Sequence, residues 1–392
     1  MPDYKYLIVG GGMAADAAVK GIREVDLNGT IGLVTAEADA PYDRPPLSKG
    51  LWSGQPIESI WKKTAERSVS LHLDRTVELL DLRRKTATDN KGTTYGFSKL
   101  LLATGGTPRR LPFHGTPVIY FRTVADYRAL RSLCNQGERF TVIGGGFIGS
   151  EVAAALAMNG KKVTMVFPDP AICARTFPLD LAEFVTGYYR EKGVEVLSRE
   201  TVAGLEPADG RSAVLLGSGR RLDSDCIVAG LGVVPETALA KAAGLTVENG
   251  IVVDQVLRTS HPDVYSAGDV ASFHNPALDR RIRVEHEDNA NAMGRQAGRN
   301  MAGAKERYDH LPFFYSDLFE LGYEAVGELD PRLEVVSDWR VPYREGVVHY
   351  LREGRVRGVL LWNVWGQVDA ARELIAGSRQ YAPEDLKGSL GA

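Results

Sequence analysis

Two glycine-rich turns carry the clearest chemistry in the sequence. Residues 6–18 read "YLIVGGGMAADAA" and residues 140–154 read "FTVIGGGFIGSEVAA". In each, an apolar run meets a G-x-G-x-x-G/A turn and an alanine-rich helical pattern, with the small residues Gly10, Gly12 and Ala15, then Gly144, Gly146 and Gly149. Such a turn lets a pyrophosphate approach backbone N–H groups at the positive end of a helix. One copy is weak evidence, but two copies predict two dinucleotide sites.

An acidic residue follows each turn at the end of a second strand pattern. Glu37 ends "TIGLVTAE", 22 positions after Ala15, and Asp169 ends "KKVTMVFPD", 20 positions after Gly149. A carboxylate at this spacing accepts hydrogen bonds from a ribose hydroxyl. Asp169 favours the free 2′-hydroxyl of NADH and repels the 2′-phosphate of NADPH. Arg175, six residues further on, could weaken that preference, and the sequence predicts NADH.

The stretch "PYDRPPLSKG", residues 41–50, places two cations close to two prolines. Arg44 precedes Pro45 and Pro46, and Lys49 follows them. Proline restricts its own backbone and that of the residue before it. Because the stretch begins only four positions after Glu37, we expect a rigid segment that directs Arg44 towards the cofactor phosphates.

The elements around these motifs predict an α/β protein with two Rossmann-like domains and a C-terminal α+β domain. Strand patterns ending in "KLLLATGG" and "CIVAGLG" follow the first and second turns, which suggests two similar domains, one inserted in the other. We expect the first domain at 1–112 and 241–310, the second at 113–240 and an interface-type domain at 311–392. Aromatic-rich strands and a short helix near 366–377 mark that last segment.

Composition and charge indicate which kinds of partner and which cell compartment to expect. The net charge of −3, from 47 cationic and 50 anionic residues, favours neither nucleic acid nor a membrane surface. No apolar run approaches the ~20 residues of a membrane span, and the chain starts directly in a strand pattern, so a cytoplasmic location is expected. The cysteines, Cys134, Cys173 and Cys226, form no CxxC pair and are expected to be buried. No metal site is expected.

These motifs together resemble the FAD-dependent pyridine nucleotide-disulphide oxidoreductases, and among them the members without a redox disulphide. The segments "PYDRPPLSKGLW", "ATGGTPRRL", "VIGGGFIGSE", "YSAGDVASF", "VEHEDNA", "FFYSDL" and "GVLLWN" carry the resemblance along nearly the whole chain. Within the superfamily the sequence is most similar to apoptosis-inducing factor and to bacterial NADH-dependent ferredoxin reductases. The resemblance implies that the first domain binds FAD and the second NADH.

The resemblance also implies roles for individual residues. The FAD side comprises Gly10, Gly12, Ala14, Ala15, Glu37, Arg44, Lys49, Val77, Thr104, Arg122 and Asp269. The NADH side comprises Gly144, Gly146, Phe147, Ile148, Gly149, Asp169, Arg175 and Gly232, with Glu285, His286, Glu324 and Asn363 near the nicotinamide. Lys49, Glu151 and His286 are the implied catalytic residues, with Lys49 paired to Glu151. Tyr315 stands where the family usually has tryptophan, which changes the aromatic face offered to the cofactors.

The implied reaction is hydride transfer from NADH to flavin N5, followed by electron release to a one-electron acceptor, most simply a ferredoxin. Two alternatives stay open. One is a redox-sensing interaction protein resembling apoptosis-inducing factor, with a homodimer controlled by NADH. The other is a diaphorase that uses quinones or oxygen directly. No cysteine matches the position of a redox disulphide, so disulphide reduction is not expected.

Overall fold

The computed structural model of the chain describes residues 1–208, 211–377 and 379–391. The helices are α1 (Met13–Val25), α2 (Val124–Cys134), α3 (Phe147–Met158), α4 (Leu179–Glu191), α5 (Ala238–Ala242), α6 (Glu287–Met301) and α7 (Val368–Ala376). The strands of the first third are β1 (Asp3–Val9), β2 (Ile31–Val34), β3 (Val69–His72), β4 (Val77–Asp81), β5 (Thr86–Asp89), β6 (Thr94–Leu102), β7 (Gly106–Pro108) and β8 (Ile119–Tyr120).

The remaining strands follow in chain order. Those before α6 are β9 (Arg139–Ile143), β10 (Lys162–Phe167), β11 (Glu195–Ser198), β12 (Val202–Ala208), β13 (Arg211–Leu216), β14 (Arg221–Ser224), β15 (Cys226–Ala229), β16 (Val233–Pro235), β17 (Val247–Glu248), β18 (Gly250–Val252), β19 (Val264–Ser266), β20 (Ala271–Asn275) and β21 (Arg280–Ile282). Those after it are β22 (Phe313–Leu318), β23 (Leu321–Gly327), β24 (Glu334–Val341), β25 (Glu345–Arg352) and β26 (Arg355–Trp362).

The chain divides into two compact units. The first comprises Met1–Arg44, Pro56–Thr107 and Val234–Phe313, and the second comprises Pro45–Gln55, Pro108–Val233 and Phe314–Ala392. The segment after the first glycine turn therefore splits, because Arg44 belongs to the first unit and Lys49 to the second. The three-domain boundaries expected from the sequence remain a proposal.

The first unit is built on a sheet in the order β3-β2-β1-β6-β5-β4, with β19 also paired to β6. Its strands β1, β2, β3, β6 and β19 run parallel, whereas β4 and β5 form antiparallel pairs. Helix α1 packs tightly on α6, because a Cβ at Gly298 would lie 2.1 Å from the carbonyl oxygen of Ala18. A smaller sheet has the order β17-β18-β20-β21. The parallel strands end at the edge that carries the first glycine turn.

The second unit contains a parallel sheet in the order β11-β10-β9-β15-β8 and a small antiparallel sheet β12-β13-β14. An antiparallel sheet in the order β22-β23-β26-β25-β24 follows, with α7 packed on β23 and β26. The alanine-rich face of α3 is buried beside β9 and β10. This mixed α/β architecture with a β-rich C-terminal sheet confirms the fold class predicted from the sequence.

Two sequence-based expectations can be compared with the described residues. Cys134, Cys173 and Cys226 are free and buried, as expected. Burial in apolar surroundings raises the pKa of the Cys173 thiol to about 12, so the thiol stays protonated at neutral pH.

None of the helices within the described ranges is both long and apolar enough to cross a membrane.

Candidate functional site

The first glycine turn joins β1 to α1 in the first unit. Gly10 has φ +121°, and a Cβ there would lie 2.1 Å from the carbonyl oxygen of Ala103, so only glycine fits. Gly12 is the N-cap of α1 and has no side-chain cap. A Cβ at Gly12 would meet only a guanidinium nitrogen of Arg44, at 4.0 Å. The N-terminus of α1 therefore opens onto space next to a cation, which suits a pyrophosphate.

The second turn repeats this conformation between β9 and α3 in the second unit. Gly144 has φ +120°, and Gly146 caps α3 without a side-chain hydrogen bond. A Cβ at Gly146 would meet nothing within 4 Å, whereas one at Gly149 would lie 2.1 Å from the carbonyl oxygen of Gly144. The middle glycine thus leaves an open approach, and the last glycine packs the helix against the turn. This is the division of roles that a pyrophosphate-binding turn requires.

Glu37 lies beyond the end of β2 and is held by two neighbours. Arg44 forms an ion pair with Glu37, and the Tyr42 hydroxyl donates to Glu37 Oε2 at 2.5 Å. Arg44 in turn donates to the Tyr42 hydroxyl at 2.9 Å. Burial lowers the pKa of Arg44, but electrostatic interactions with Tyr42, Glu37 and Asp269 and the hydrogen bond to Glu37 outweigh it, so the net shift is upward. Arg44 therefore stays cationic among the residues predicted for FAD.

Asp269 follows β19 in the loop next to the start of α1. A Cβ at Gly268 would lie 2.9 Å from the Cβ of Ala14, which places this loop against the glycine turn. Arg283 donates to the carbonyl oxygen of Asp269 at 3.0 Å and to Glu285 Oε1 at 2.9 Å. The structure therefore brings Asp269 and Glu285 together through Arg283, which sequence reasoning had not assigned to the site.

His286 caps α6 and is partly buried. Desolvation lowers its pKa to about 4, although Asp269 and Asp288 act in the opposite direction. The imidazole is therefore neutral at neutral pH in these surroundings. It can still donate or accept a hydrogen bond in the site.

Three other residues predicted for the FAD side have different surroundings. Thr104 follows β6 next to the Gly10 turn, and its hydroxyl donates to the carbonyl oxygen of Glu236 at 2.7 Å. Val77 packs into an apolar core cluster. Arg122 belongs to the second unit, where its backbone N–H donates to Asp126 at 3.1 Å.

Asp169 and Arg175, which were predicted to bind NADH, form an ion pair with each other. Arg175 Nε lies 2.9 Å from Asp169 Oδ1, and the Arg175 side chain is 78% exposed. Gly232 has φ +80°, and a Cβ there would meet nothing within 4 Å. At the start of α3, the ring centroid of Phe147 lies 5.1 Å from that of Phe314, whereas Ile148 is 41% exposed.

Lys49 and Glu151 form a buried ion pair in the second unit. Glu151 is on α3, one turn after the glycine cap, and its side chain is only 4% exposed. Ser48 donates to Glu151 Oε2 at 2.5 Å, and Ser316 donates to Glu151 Oε1 at 2.6 Å. Lys49 Nζ also lies 5.4 Å from the centroid of the Tyr315 ring. The resemblance implied the ion pair, whereas the two serines emerge only from the folded chain.

Two carboxylates of the C-terminal sheet have raised pKa values. Desolvation raises the pKa of Asp317, with Glu151 adding to the rise and Lys49 opposing it. Desolvation also raises the pKa of Glu324, which accepts a hydrogen bond from the Gly366 backbone at 3.3 Å. The side chain of Asn363 instead binds backbone groups: it accepts from the Gly322 N–H at 2.7 Å and donates to the carbonyl oxygen of Arg344 at 2.8 Å.

Sequence reasoning assigned no role in these sites to Tyr42, Ser48, Arg283, Ser316 or Asp317. Four of them stand inside quoted motifs, "PYDRPPLSKG" and "FFYSDL", and Arg283 lies just before "VEHEDNA". Their residue types did not indicate a role in a site, because serine, tyrosine and aspartate are common in the turns and strands of proteins with many different functions. Only the distances to Glu37, Asp269 and Glu151 distinguish them.

Both glycine turns fit a dinucleotide, so the fold and the site define a two-dinucleotide oxidoreductase. A family model described as pyridine nucleotide-disulphide oxidoreductase matches residues 4–294. A second model, the C-terminal domain of mitochondrion-associated apoptosis-inducing factor, matches residues 297–342 and 338–377. The chain belongs to the pyridine nucleotide-disulphide oxidoreductase family. It is an oxidoreductase that uses FAD and NAD(H), as the resemblance predicted.

Relatives of two kinds are similar to this chain over most of its length. Mitochondrial apoptosis-inducing factor 1 of Dictyostelium discoideum is 35% identical, over 98% of this chain and 80% of that protein. The ferredoxin reductase subunit of 5,5'-dehydrodivanillate O-demethylase of Sphingobium sp. is 36% identical, over 91% and 89%. Among solved structures, the covalent putidaredoxin reductase–putidaredoxin complex contains a chain with TM-score 0.91 and 30% identity, covering 98% of this chain and 96% of that one.

Proposed function

We propose that the protein is an NADH-dependent reductase that passes electrons from FAD to a ferredoxin. The observation that carries the proposal is the state of the cysteines: all three are buried and none is paired with another. The disulphide chemistry in the family's name therefore has no thiol pair in this chain. Electrons that reach the flavin must leave to an external acceptor. The Sphingobium relative is named as a ferredoxin reductase, and a solved structure holds a reductase joined to putidaredoxin.

The reaction balances with two one-electron acceptors. One NADH gives NAD⁺, one proton and two electrons, and two oxidised ferredoxins take up one electron each. Bound FAD supplies the chemistry that connects them, because flavin accepts an electron pair and releases electrons singly. The protein's own contribution is binding, orientation and fixed charge.

Each proposed role rests on a contact. Gly12 and Arg44 receive the FAD pyrophosphate at the N-terminus of α1, and Gly146 receives that of NADH at the N-terminus of α3. Asp169 binds the adenosine ribose of NADH. Lys49, held by Glu151, supplies a positive charge for the electron pair that arrives from NADH. Fixed charges in a dry site stabilise such charge without reorganisation.

Acidic ferredoxins dock on cationic surfaces, and two arginine groups of the sequence could form one: Arg280, Arg281 and Arg283 in "RRIRVE", or Arg109 and Arg110. The contacts of the described residues favour neither group. Arg281 donates to the carbonyl oxygen of Ser272 at 2.6 Å, and Arg283 is engaged with Asp269 and Glu285. Arg110 packs its guanidinium 4.7 Å from the centroid of the Tyr120 ring. The surface that meets the acceptor is therefore not assigned to these residues.

Anaerobic reduction assays test the acceptor. The FAD-loaded protein is mixed with NADH, cytochrome c and a [2Fe–2S] ferredoxin, with menadione as the quinone control. We expect cytochrome c reduction to rise in proportion to the ferredoxin concentration. A rate equal to the ferredoxin-free rate, with rapid menadione reduction, would instead establish a diaphorase.

A second candidate follows from the match of residues 297–377 to the C-terminal model of apoptosis-inducing factor. Here NADH binding would control a homodimer. Sedimentation velocity under anaerobic conditions, with and without NADH, measures the mass directly. An unchanged mass would contradict ligand-controlled assembly and leave the reductase proposal untouched. The cytoplasmic location expected from the sequence remains a prediction, which cell fractionation would test.

A further inference from the structure

The carboxylate of Glu151 has both oxygens occupied by hydroxyl donors. Ser48 Oγ is 2.5 Å from Oε2, and Ser316 Oγ is 2.6 Å from Oε1, the oxygen that also pairs with Lys49. All three partners belong to the second unit. Ser48 and Ser316 are themselves buried, with 6% and 0% exposure. Each hydroxyl has one proton to donate, so it serves Glu151 best when that carboxylate is ionised.

The two serines are held by unrelated parts of the chain. Ser48 ends the 3₁₀ helix Pro45–Ser48, which two prolines stiffen and which the Trp52 indole anchors by donating to the carbonyl oxygen of Leu47 at 2.7 Å. Ser316 is on β22, inside the C-terminal antiparallel sheet. Glu151 is on α3. The serines thus fix the carboxylate from two independent supports.

The other titratable groups around Glu151 do not stabilise its charge. Asp317, Cys173, Tyr189 and Tyr323 all interact electrostatically with it. Burial raises the pKa of each of these four groups, so the thiol and both phenols are neutral at neutral pH. Lys49 is the cation that faces Glu151. A buried carboxylate is costly unless it is paired and hydrogen-bonded, so the serine donors matter here.

We propose that Ser48 and Ser316 are positioning residues that fix the orientation of the Glu151 carboxylate and thereby hold Lys49 in place as a fixed cation. The inference rests on the proposed function only for what Lys49 does with that charge. Without the serine donors, the Glu151 carboxylate can turn, and Lys49 loses its fixed place.

The test compares Ser48→Ala, Ser316→Ala and their double variant with Ser48→Thr, which keeps a hydroxyl. Ser224→Ala is the matched control, because Ser224 is also buried and shares its hydrogen bond with the Thr141 hydroxyl instead. Infrared difference spectra between each protein and its Glu151→Gln counterpart isolate the Glu151 carboxylate band without requiring turnover. We expect this band to shift in frequency in the double alanine variant, because both hydroxyl donors are lost, and to stay at its wild-type position in Ser224→Ala.

Stopped-flow reduction of bound FAD by NADH gives the second readout. In the double alanine variant we expect the rate at neutral pH to fall about tenfold. The dissociation constant for NAD⁺ should stay within about twofold, because both serine hydroxyls are already engaged with Glu151. Ser48→Thr should restore most of the rate lost in Ser48→Ala.

Two outcomes would overturn the positioning role: a Glu151 carboxylate band in the double alanine variant identical to that of wild type, or an unchanged rate of flavin reduction. Failure of the proposed function is a different result. It would appear as wild-type protein whose FAD is not reduced by NADH at all, and the infrared band would still decide the role of the serines.

Discussion

The hydroxyl of Ser48 donates to Glu151 Oε2 at 2.5 Å, although the two residues are 103 positions apart in the sequence. The next residue, Lys49, pairs with the same carboxylate. A proline-stiffened 3₁₀ turn thus delivers a hydroxyl and an ammonium group to one buried acid. The proline-containing part of "PYDRPPLSKG" therefore supports an ion pair within the second unit.

Removing the cation should slow the redox step. In the Lys49→Met variant we expect NADH to reduce the bound flavin about a hundredfold more slowly, because the fixed positive charge that stabilises the arriving electron pair is lost. FAD should stay bound at wild-type stoichiometry. Stopped-flow absorbance of the flavin measures the rate, and the exposed Lys162→Met is the matched control.

Lys49→Met also leaves Glu151 buried without its cation, which costs about 3–5 kcal/mol of stability. The double variant Lys49→Met/Glu151→Gln removes both charges and should recover much of that stability while remaining slow. Wild-type reduction rates in either variant would contradict the role given to Lys49.

The open space at Gly146 predicts a selective loss of NADH binding. Gly146 has φ −85°, which alanine also adopts, and a Cβ there meets no protein atom within 4 Å. Gly146→Ala should therefore fold normally but hold NADH about tenfold more weakly, or by about 1.4 kcal/mol, because the methyl group occupies the approach of the pyrophosphate. Equilibrium titration with NAD⁺ or NADH measures the affinity.

Gly187→Ala is the control for that substitution. Gly187 lies in α4, where a Cβ also meets nothing within 4 Å, so alanine should stabilise the helix by about 0.5–1 kcal/mol without changing the affinity. Equal NADH affinities in wild type and Gly146→Ala would remove the second turn from the binding site.

The Asp169–Arg175 ion pair predicts how the protein discriminates between the two nicotinamide cofactors. Asp169→Asn should lower the ratio of kcat/KM for NADH over NADPH about tenfold, or by about 1.4 kcal/mol, because the repulsion of the 2′-phosphate disappears. Arg175→Ala should raise that ratio, since Asp169 loses the cation that offsets its charge. Steady-state kinetics with both cofactors give the ratio, and two unchanged ratios would refute the assignment.

His349 predicts a loss of stability in acid. Desolvation lowers its pKa to about 4, and it is fully buried on β25. The unfolded chain takes up the proton near pH 6.5, so the free energy of unfolding should fall as the pH drops from about 6.5 towards 4. Between pH 7.5 and pH 5 this histidine accounts for about 2 kcal/mol.

Urea denaturation at both pH values tests this, using His349→Gln and the exposed control His114→Gln. The His349 variant should lose about 2 kcal/mol less stability on acidification than wild type does, whereas the control should match wild type. Equal losses in all three proteins would show that His349 is not the group responsible.

Much of the fold and both candidate turns could be predicted from the sequence. The turn at Gly10 and the turn at Gly144 are local: a positive φ and a close backbone approach each demand glycine at a fixed spacing, so the chemistry is visible in a few consecutive residues. The mixed α/β class followed from the same periodic patterns. The family resemblance correctly indicated the use of FAD and NAD(H).

Only the tertiary structure decided which side chains complete each site. Ser48 and Ser316 reach Glu151, and Arg283 joins Asp269 to Glu285, through contacts between distant segments. Such contacts leave no local pattern, because any polar side chain on any element can make them once the chain is folded. The sequence determined that the chain uses two dinucleotides and predicted that they bind at helix N-termini, and the packing of α3, β22 and the 3₁₀ turn determined how one buried carboxylate is held in place.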